Sequence, residues 1–201
     1  MNPDTVVFDL GGVLVDWDPR HLYRKLIPDE AEREWFLREV CHPDWNVAQD
    51  AGRTIAEAEA EAISRHPDKK DLILAFYGRF EEMMAGPVQG TVDILERLDA
   101  KGTPLYALTN WSAETFPIGR RKFDFLRRFR HITVSGELKL AKPDPAIYRH
   151  VLAVAGKPAQ ACVFIDDSPK NVAAAQALGF HAIHFTGPER LSRELAGLGF
   201  L

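Results

Sequence analysis

The amino-acid sequence predicts an α/β protein: a parallel sheet with helices on both faces and an all-helical insertion after the first strand. Three observations lead there. Short apolar runs recur along the 201 residues, each followed by an amphipathic stretch with helical spacing. Gly102, Gly156 and Gly179 each close one of those stretches, where a helix C-terminal cap is expected. Between about residues 18 and 85 the rhythm stops, and no convincing strand is found.

The elements follow in chain order. Residues 5–8 (TVVF) form the first strand, followed by 104–108 (PLYAL), 131–134 (HITV), 161–165 (ACVFI) and 181–184 (HAIH). The amphipathic segments between and after the later strands are 90–101, 145–155, 170–178 and 189–195. The strandless region reads as helical patches at 21–26, 30–40, 55–65 and 69–84, punctuated by Pro43, Gly52 and Pro67. Its AEAEAEA stretch, residues 56–62, is ordinary helix-forming sequence. Gly86-Pro87 reads as the hinge back to the sheet. The expected division is a core of residues 1–16 and 87–201 and an α-helical insertion of residues 17–86.

Composition narrows the partners. A hydrophobic fraction of 46% and a charged fraction of 27% suit a packed core and exclude wholesale disorder. A net charge of -4 gives no reason to expect nucleic acid or a membrane. The basic cluster Arg120, Arg121, Lys122, Arg127, Arg128 and Arg130 is interrupted by Phe123, Phe125, Leu126 and Phe129, so it reads as an amphipathic segment with a solvated face. Cys41 and Cys162 are the only cysteines, and free thiols suit a reducing compartment. No leader pattern or bilayer-length apolar run is seen, so the expectation is a cytoplasmic protein, monomeric or homodimeric.

The chemistry gathers at strand ends, where open α/β sheets bind ligands. Asp9 follows the first strand and breaks at once into Gly11-Gly12. Thr109-Asn110 ends the second, and offers hydroxyl, amide and N–H groups to an anionic oxygen, or a turn. Lys142 sits in the proline-stiffened LAKPDP loop, a placement that suits a fixed charge for a phosphate oxygen. Asp166-Asp167 ends the fourth strand. Adjacent carboxylates repel each other, and a hard divalent cation relieves that. Alternatively, one of the two caps the helix that starts at Ser168-Pro169.

Acid, hydroxyl, lysine and acid pair, in that order, resemble the four motifs of the haloacid dehalogenase (HAD) superfamily. The segments that carry the resemblance are FDLGGVLVD, YALTN, KLAKPDPAIY and VFIDDSPKN. It covers essentially the whole chain and implies a Rossmann-like core with residues 17–86 as an α-helical cap. It further implies that Asp9 is a nucleophile forming an aspartyl-phosphate. Mg²⁺ would be held by Asp9, the Gly11 carbonyl, Asp166 and Asp167. Thr109 and Lys142 would hold the phosphoryl oxygens, helped by Asn110. The implied substrate is a small phosphorylated metabolite.

One position departs from the pattern. Most phosphatases of this superfamily have a second Asp where Gly11 stands, as general acid for the leaving group. A positioned general acid supplies about 10² to 10⁴ in rate. Another donor, a good leaving group or a modest activity would follow from its loss. Asp16, Asp18 and His21 are near in sequence, although Asp18-Pro19 reads as a helix start. The sequence looks like a subgroup whose first motif reads Asp-Leu-Gly followed by Asn or Gly, acting on sugar phosphates such as glucose 1-phosphate. A 2-haloacid dehalogenase also lacks that second acid, but it does without the metal and the paired carboxylates. A non-catalytic phosphometabolite-binding module is the third reading. Trp17, Trp45, Asn46, Gln49 and Asp50 are candidates to face the site from the insertion, and Trp111 and Ser112 to line its entrance.

Overall fold

The computed structural model describes residues 2–201. In chain order its elements are β1 (Thr5–Phe8), β2 (Val15–Trp17), α1 (Arg20–Leu26), α2 (Glu30–Glu39), α3 (Pro43–Asp50), α4 (Ile55–Arg65) and α5 (Lys70–Gly78). There follow β3 (Met84–Pro87), α6 (Gln89–Ala100), β4 (Leu105–Thr109), α7 (Phe116–Lys122), β5 (His131–Val134) and α8 (Ser135–Leu138). The chain ends with α9 (Pro145–Ala155), β6 (Cys162–Asp166), α10 (Pro169–Ala177), β7 (His181–His184) and α11 (Pro188–Gly197).

The five-stranded sheet has the order β5-β4-β1-β6-β7, and all four pairings are parallel. Strand β1 lies at its centre and every residue of it is buried, as an apolar run covered on both faces should be. Side chains alternate across a strand. Val6 and Phe8 therefore join one apolar cluster with Leu95 of α6 and Leu191 of α11, while Val7 joins a second with Tyr148 of α9, Phe164 and Ala175 of α10. The α/β expectation holds, and helices cover both faces. Gly156 closes α9 with φ 64°, a conformation that favours glycine.

Three details differ from the sequence reading. At Gly86-Pro87, where a hinge was expected, there is a two-stranded antiparallel ribbon, with Val15 of β2 opposite Pro87 of β3 and Asp16 opposite Gly86. Strands of three and four residues are too short to show alternation. Residues 43–50, read as a break after Pro43, form helix α3, with Pro43 in its first turn and the His42 ring accepting from the Trp45 N–H. The long helix expected over 69–84 stops at Gly78, passes through a 3₁₀ turn at Phe80–Met83 and ends as β3.

Among the described residues no helix is long and apolar enough to cross a membrane. Cys41 and Cys162 are both free and buried.

Candidate active site

Parallel register brings the ends of β1, β4 and β6 to one edge of the sheet. Asp9 follows β1 directly, Thr109 ends β4 and Asp166 ends β6. Asp9 is 7% exposed, Lys142 4% and Asp166 0%. Such burial of charge is tolerable only with close partners. The Lys142 ammonium supplies them, with Nζ 2.8 Å from Asp9 Oδ1 and 2.7 Å from Asp166 Oδ2. Asp166 also accepts from the Ser168 N–H at 2.8 Å and from the Asn171 amide at 3.0 Å, so it is this acid of the pair that ties down the start of α10. Asp167 is the exposed member. Asp9, Asp166 and Asp167 each offer a carboxylate oxygen, and the three atoms lie within 4.8 Å of one another.

The lysine is held from both ends. The Asn110 side chain clamps its backbone, accepting from the Lys142 N–H at 2.8 Å and donating to its carbonyl at 3.0 Å. Burial works against the ammonium, yet Asp9 and Asp166 hold its pKa above the ordinary lysine value. Burial pushes the Asp9 carboxyl upward against the pull of Lys142. Burial, and then the neighbouring Asp166, raise Asp167.

The paired glycines do different work. Gly12 has φ 72°, and a Cβ there would stand 2.3 Å from Asp167 Oδ2. A side chain at Gly11 would meet nothing within 4 Å. Gly11 instead forms part of the wall of a cavity of about 70 Å³, completed by Trp17, Asn46, Asp50, Phe80, Asn110 and Trp111. An open groove of about 760 Å³ between α1, α2 and α3 shares Trp17, Asn46 and Asp50 with it.

Asp9, Lys142, Asp166 and Asp167 thus come together, and Gly11, Asn110 and Trp111 face the adjoining cavity. Thr109 is buried at the neighbouring strand end. Trp45 does not join them. It is 5% exposed, its indole N–H donates to the Ala58 carbonyl, and its ring packs on Phe76 and Tyr77, because α3 turns that side inward. Gln49 is likewise interior, bonded to the Trp45 carbonyl and the Tyr77 hydroxyl. Asp16 is paired with His21 at 3.0 Å, and Asp18 accepts from the Arg20 N–H at 2.8 Å. Phe80 was missed. Its place in the wall depends on the chain leaving the helical path after Gly78, which apolar spacing did not signal.

A parallel sheet with four strand-end polar groups meeting at one edge defines a class as well as a shape. The description "haloacid dehalogenase-like hydrolase" matches residues 3–179, and the chain belongs to that family of enzymes. Relatives include the sesquiterpene phosphatase astK of Aspergillus oryzae, 28% identical over 198 residues, which cover 96% of this chain and 94% of the relative. The drimenol cyclase drtB of Aspergillus calidoustus is 27% identical over 199 residues, and this chain spans only 36% of its length. Among solved structures, the HAD family enzyme bt-2542 of Bacteroides thetaiotaomicron superposes with a TM-score of 0.74 at 23% identity, over 97% of this chain and 99% of that one.

Proposed function

We propose that the protein is a Mg²⁺-dependent phosphomonoester hydrolase acting on small phosphorylated metabolites, sugar phosphates among them, through an aspartyl-phosphate on Asp9. The observation that carries this reading is the cluster of Asp9, Asp166 and Asp167 around Lys142 at the sheet edge. The donor set is all oxygen and anionic, which fits a hard divalent cation. Asp9, Asp167 and the Gly11 carbonyl would hold the ion, with Asp166 in support; once bound, it would neutralise charge on the phosphoryl oxygens. The phosphatase astK among the relatives supports the same reaction class.

In this reading Lys142 has two tasks. It opposes the burial that pushes the Asp9 carboxyl up, favouring the ionised form that a nucleophile requires. It also presents a fixed positive charge to the phosphoryl oxygens, where transition-state stabilisation counts most. Thr109 offers a hydroxyl and a backbone N–H to the same oxygens, and Asn110 keeps the lysine in register. Residues 17–86 act as a cap, closing over the sheet edge and excluding water.

The test is phosphate release from p-nitrophenyl phosphate and a panel of phosphorylated metabolites, with Mg²⁺ and with EDTA. Turnover is expected with Mg²⁺ only, and Asp9→Asn should lower it by about 10⁴-fold or more while leaving the melting temperature in place. Halide release from a 2-haloacid that persists in EDTA, without phosphate release, would assign the nucleophile to dehalogenation instead. Ligand binding without phosphate release at any pH would favour a binding module.

A further inference from the structure

The pattern of the first motif leaves a chemical gap. At Gly11 no side chain is available to protonate the departing oxygen, and the space beside it is open. The neighbouring acids in sequence are already engaged, Asp16 with His21 and Asp18 with Arg20. One other carboxyl reaches the cavity that Gly11 borders, and it comes from the last residue of α3.

Asp50 is 9% exposed and has no cationic side chain within salt-bridge distance among the described residues. It accepts from the Asn46 amide at 3.2 Å to Oδ2, and the Ser112 backbone N–H acts on it from nearby. The orientation of that amide is fixed from behind. The Tyr77 hydroxyl donates to Asn46 Oδ1 at 3.0 Å, the Gln49 amide donates to the Tyr77 oxygen at 2.8 Å, and the Arg53 guanidinium donates to Gln49 Oε1 at 2.8 Å. Arginine keeps its protons at any physiological pH, so every bond of this relay runs one way and ends with a donor aimed at Asp50. Burial pushes the Asp50 carboxyl up to about 7, against the Ser112 N–H and the more distant Lys142 charge. A second polar group on the same wall is unsatisfied: the Trp17 indole N–H is buried with no hydrogen-bond partner. Asp50 and Trp17 also border the outer groove, so they stand where the non-phosphate part of a substrate passes toward the sheet edge.

We propose that Asp50 is the general acid of this enzyme, supplied by the helical segment in place of the carboxyl missing at Gly11. The inference rests on the phosphatase reading above. As Asp9 attacks phosphorus and the bond from phosphorus to the ester oxygen breaks, the Asp50 proton passes to that oxygen, and the alcohol leaves neutral. Asp50, now a carboxylate, takes a proton from the water that attacks the aspartyl-phosphate. Inorganic phosphate departs, Asp9 is restored as a carboxylate and Asp50 as an acid. The Trp17 N–H donates to a substrate oxygen in the same cavity.

The experiment compares Asp50→Asn with the wild type on a series of phosphate monoesters graded by leaving-group pKa, from p-nitrophenyl to simple alkyl. The substitution is nearly isosteric and keeps an acceptor oxygen for the Asn46 amide. The expected result is a steepened leaving-group dependence. The kcat/KM of alkyl esters should fall about 10²- to 10⁴-fold, that of p-nitrophenyl phosphate should change less than a few fold because kcat/KM ends at departure of the alcohol, and the high-pH limb of the kcat/KM profile on alkyl esters should disappear. Equal losses in kcat/KM on all esters would make Asp50 a packing residue, and unchanged kcat/KM on all of them would make it a bystander; either result overturns the proposal. Failure of the underlying phosphatase reading is separately visible, because the wild type itself would then release no phosphate from p-nitrophenyl phosphate.

Discussion

The two walls of the site give their buried carboxyl groups different partners. On the sheet side, Asp166 has an ammonium at 2.7 Å and two further donors, and Asp9 shares the same lysine. On the helical side, Asp50 receives only neutral N–H groups at the end of a one-way relay. Charge-assisted pairing favours a carboxylate, whereas burial among neutral donors favours the acid. One fold thereby holds carboxyl groups suited to attack and to metal binding a short distance from one suited to give up a proton. Burial raises Asp9 and Asp50 alike, each to about 7, and what separates them is the partner, an ammonium for Asp9 and neutral donors for Asp50.

The contrast can be broken most severely at Lys142. Replacing it with Met leaves Asp9 and Asp166 buried without their cation, at a cost of about 3–5 kcal/mol. For a chain of this size, thermal denaturation should report a drop on the order of 10 °C. A melting temperature unchanged by Lys142→Met would mean that the sheet-side acids do not depend on it. The glycine pair gives a smaller and more local comparison. Gly12→Ala places a methyl against the Asp167 carboxylate in a backbone conformation that disfavours it, so about 1–3 kcal/mol of stability should go, and Mg²⁺ binding measured by calorimetry should weaken. Gly11→Ala meets no atom and should alter the melting temperature by less than about 1 kcal/mol equivalent.

The finest test is the pH dependence of stability on the helical side. Asp50 is raised from 3.8 to about 7 in the folded chain. Between those values the native state holds a proton that the unfolded state has released. The stabilisation is complete below about pH 4 and is lost as pH rises through 7. Asp50→Asn removes this dependence. Its melting temperature should therefore gain on the wild type between pH 5 and pH 8, by the equivalent of about 1–4 kcal/mol. Lys142 and Tyr77 are the titratable groups facing Asp50, and both are common to the two proteins. Parallel curves would show that Asp50 is ionised throughout.

The sheet-side wall was legible in the sequence because strand termini are local. An apolar run followed by an acid fixes both the strand and the place where its polar group emerges, which is why Asp9, Thr109 and Asp166-Asp167 could be located together. Lys142 was legible from its stiffened loop, but its clamp by the Asn110 side chain was not, since that pairing joins residues 32 apart in the chain. The helical wall was largely illegible. Whether Trp45 or Asp50 faces the cavity depends on the rotation of α3, and that is set by packing of Trp45 against Phe76 and Tyr77 rather than by any local pattern. The β2–β3 ribbon carried too few residues to register, although it sets the position of Trp17.

At about 70 Å³, the inner cavity has room for a handful of waters and little else. A sugar phosphate does not fit in that volume alone, so on the phosphatase reading its larger part lies in the outer groove that shares Trp17, Asn46 and Asp50 with the cavity. The chain passes between the halves twice, side by side, in the β2–β3 ribbon, whose ladder slips register between Asp16 and Trp17. That slip sits at the strand whose Trp17 lines the chamber. Trp17 thus belongs both to the ribbon that joins the helical segment to the sheet and to the chamber wall, so the twist of that ribbon sets the shape of the chamber.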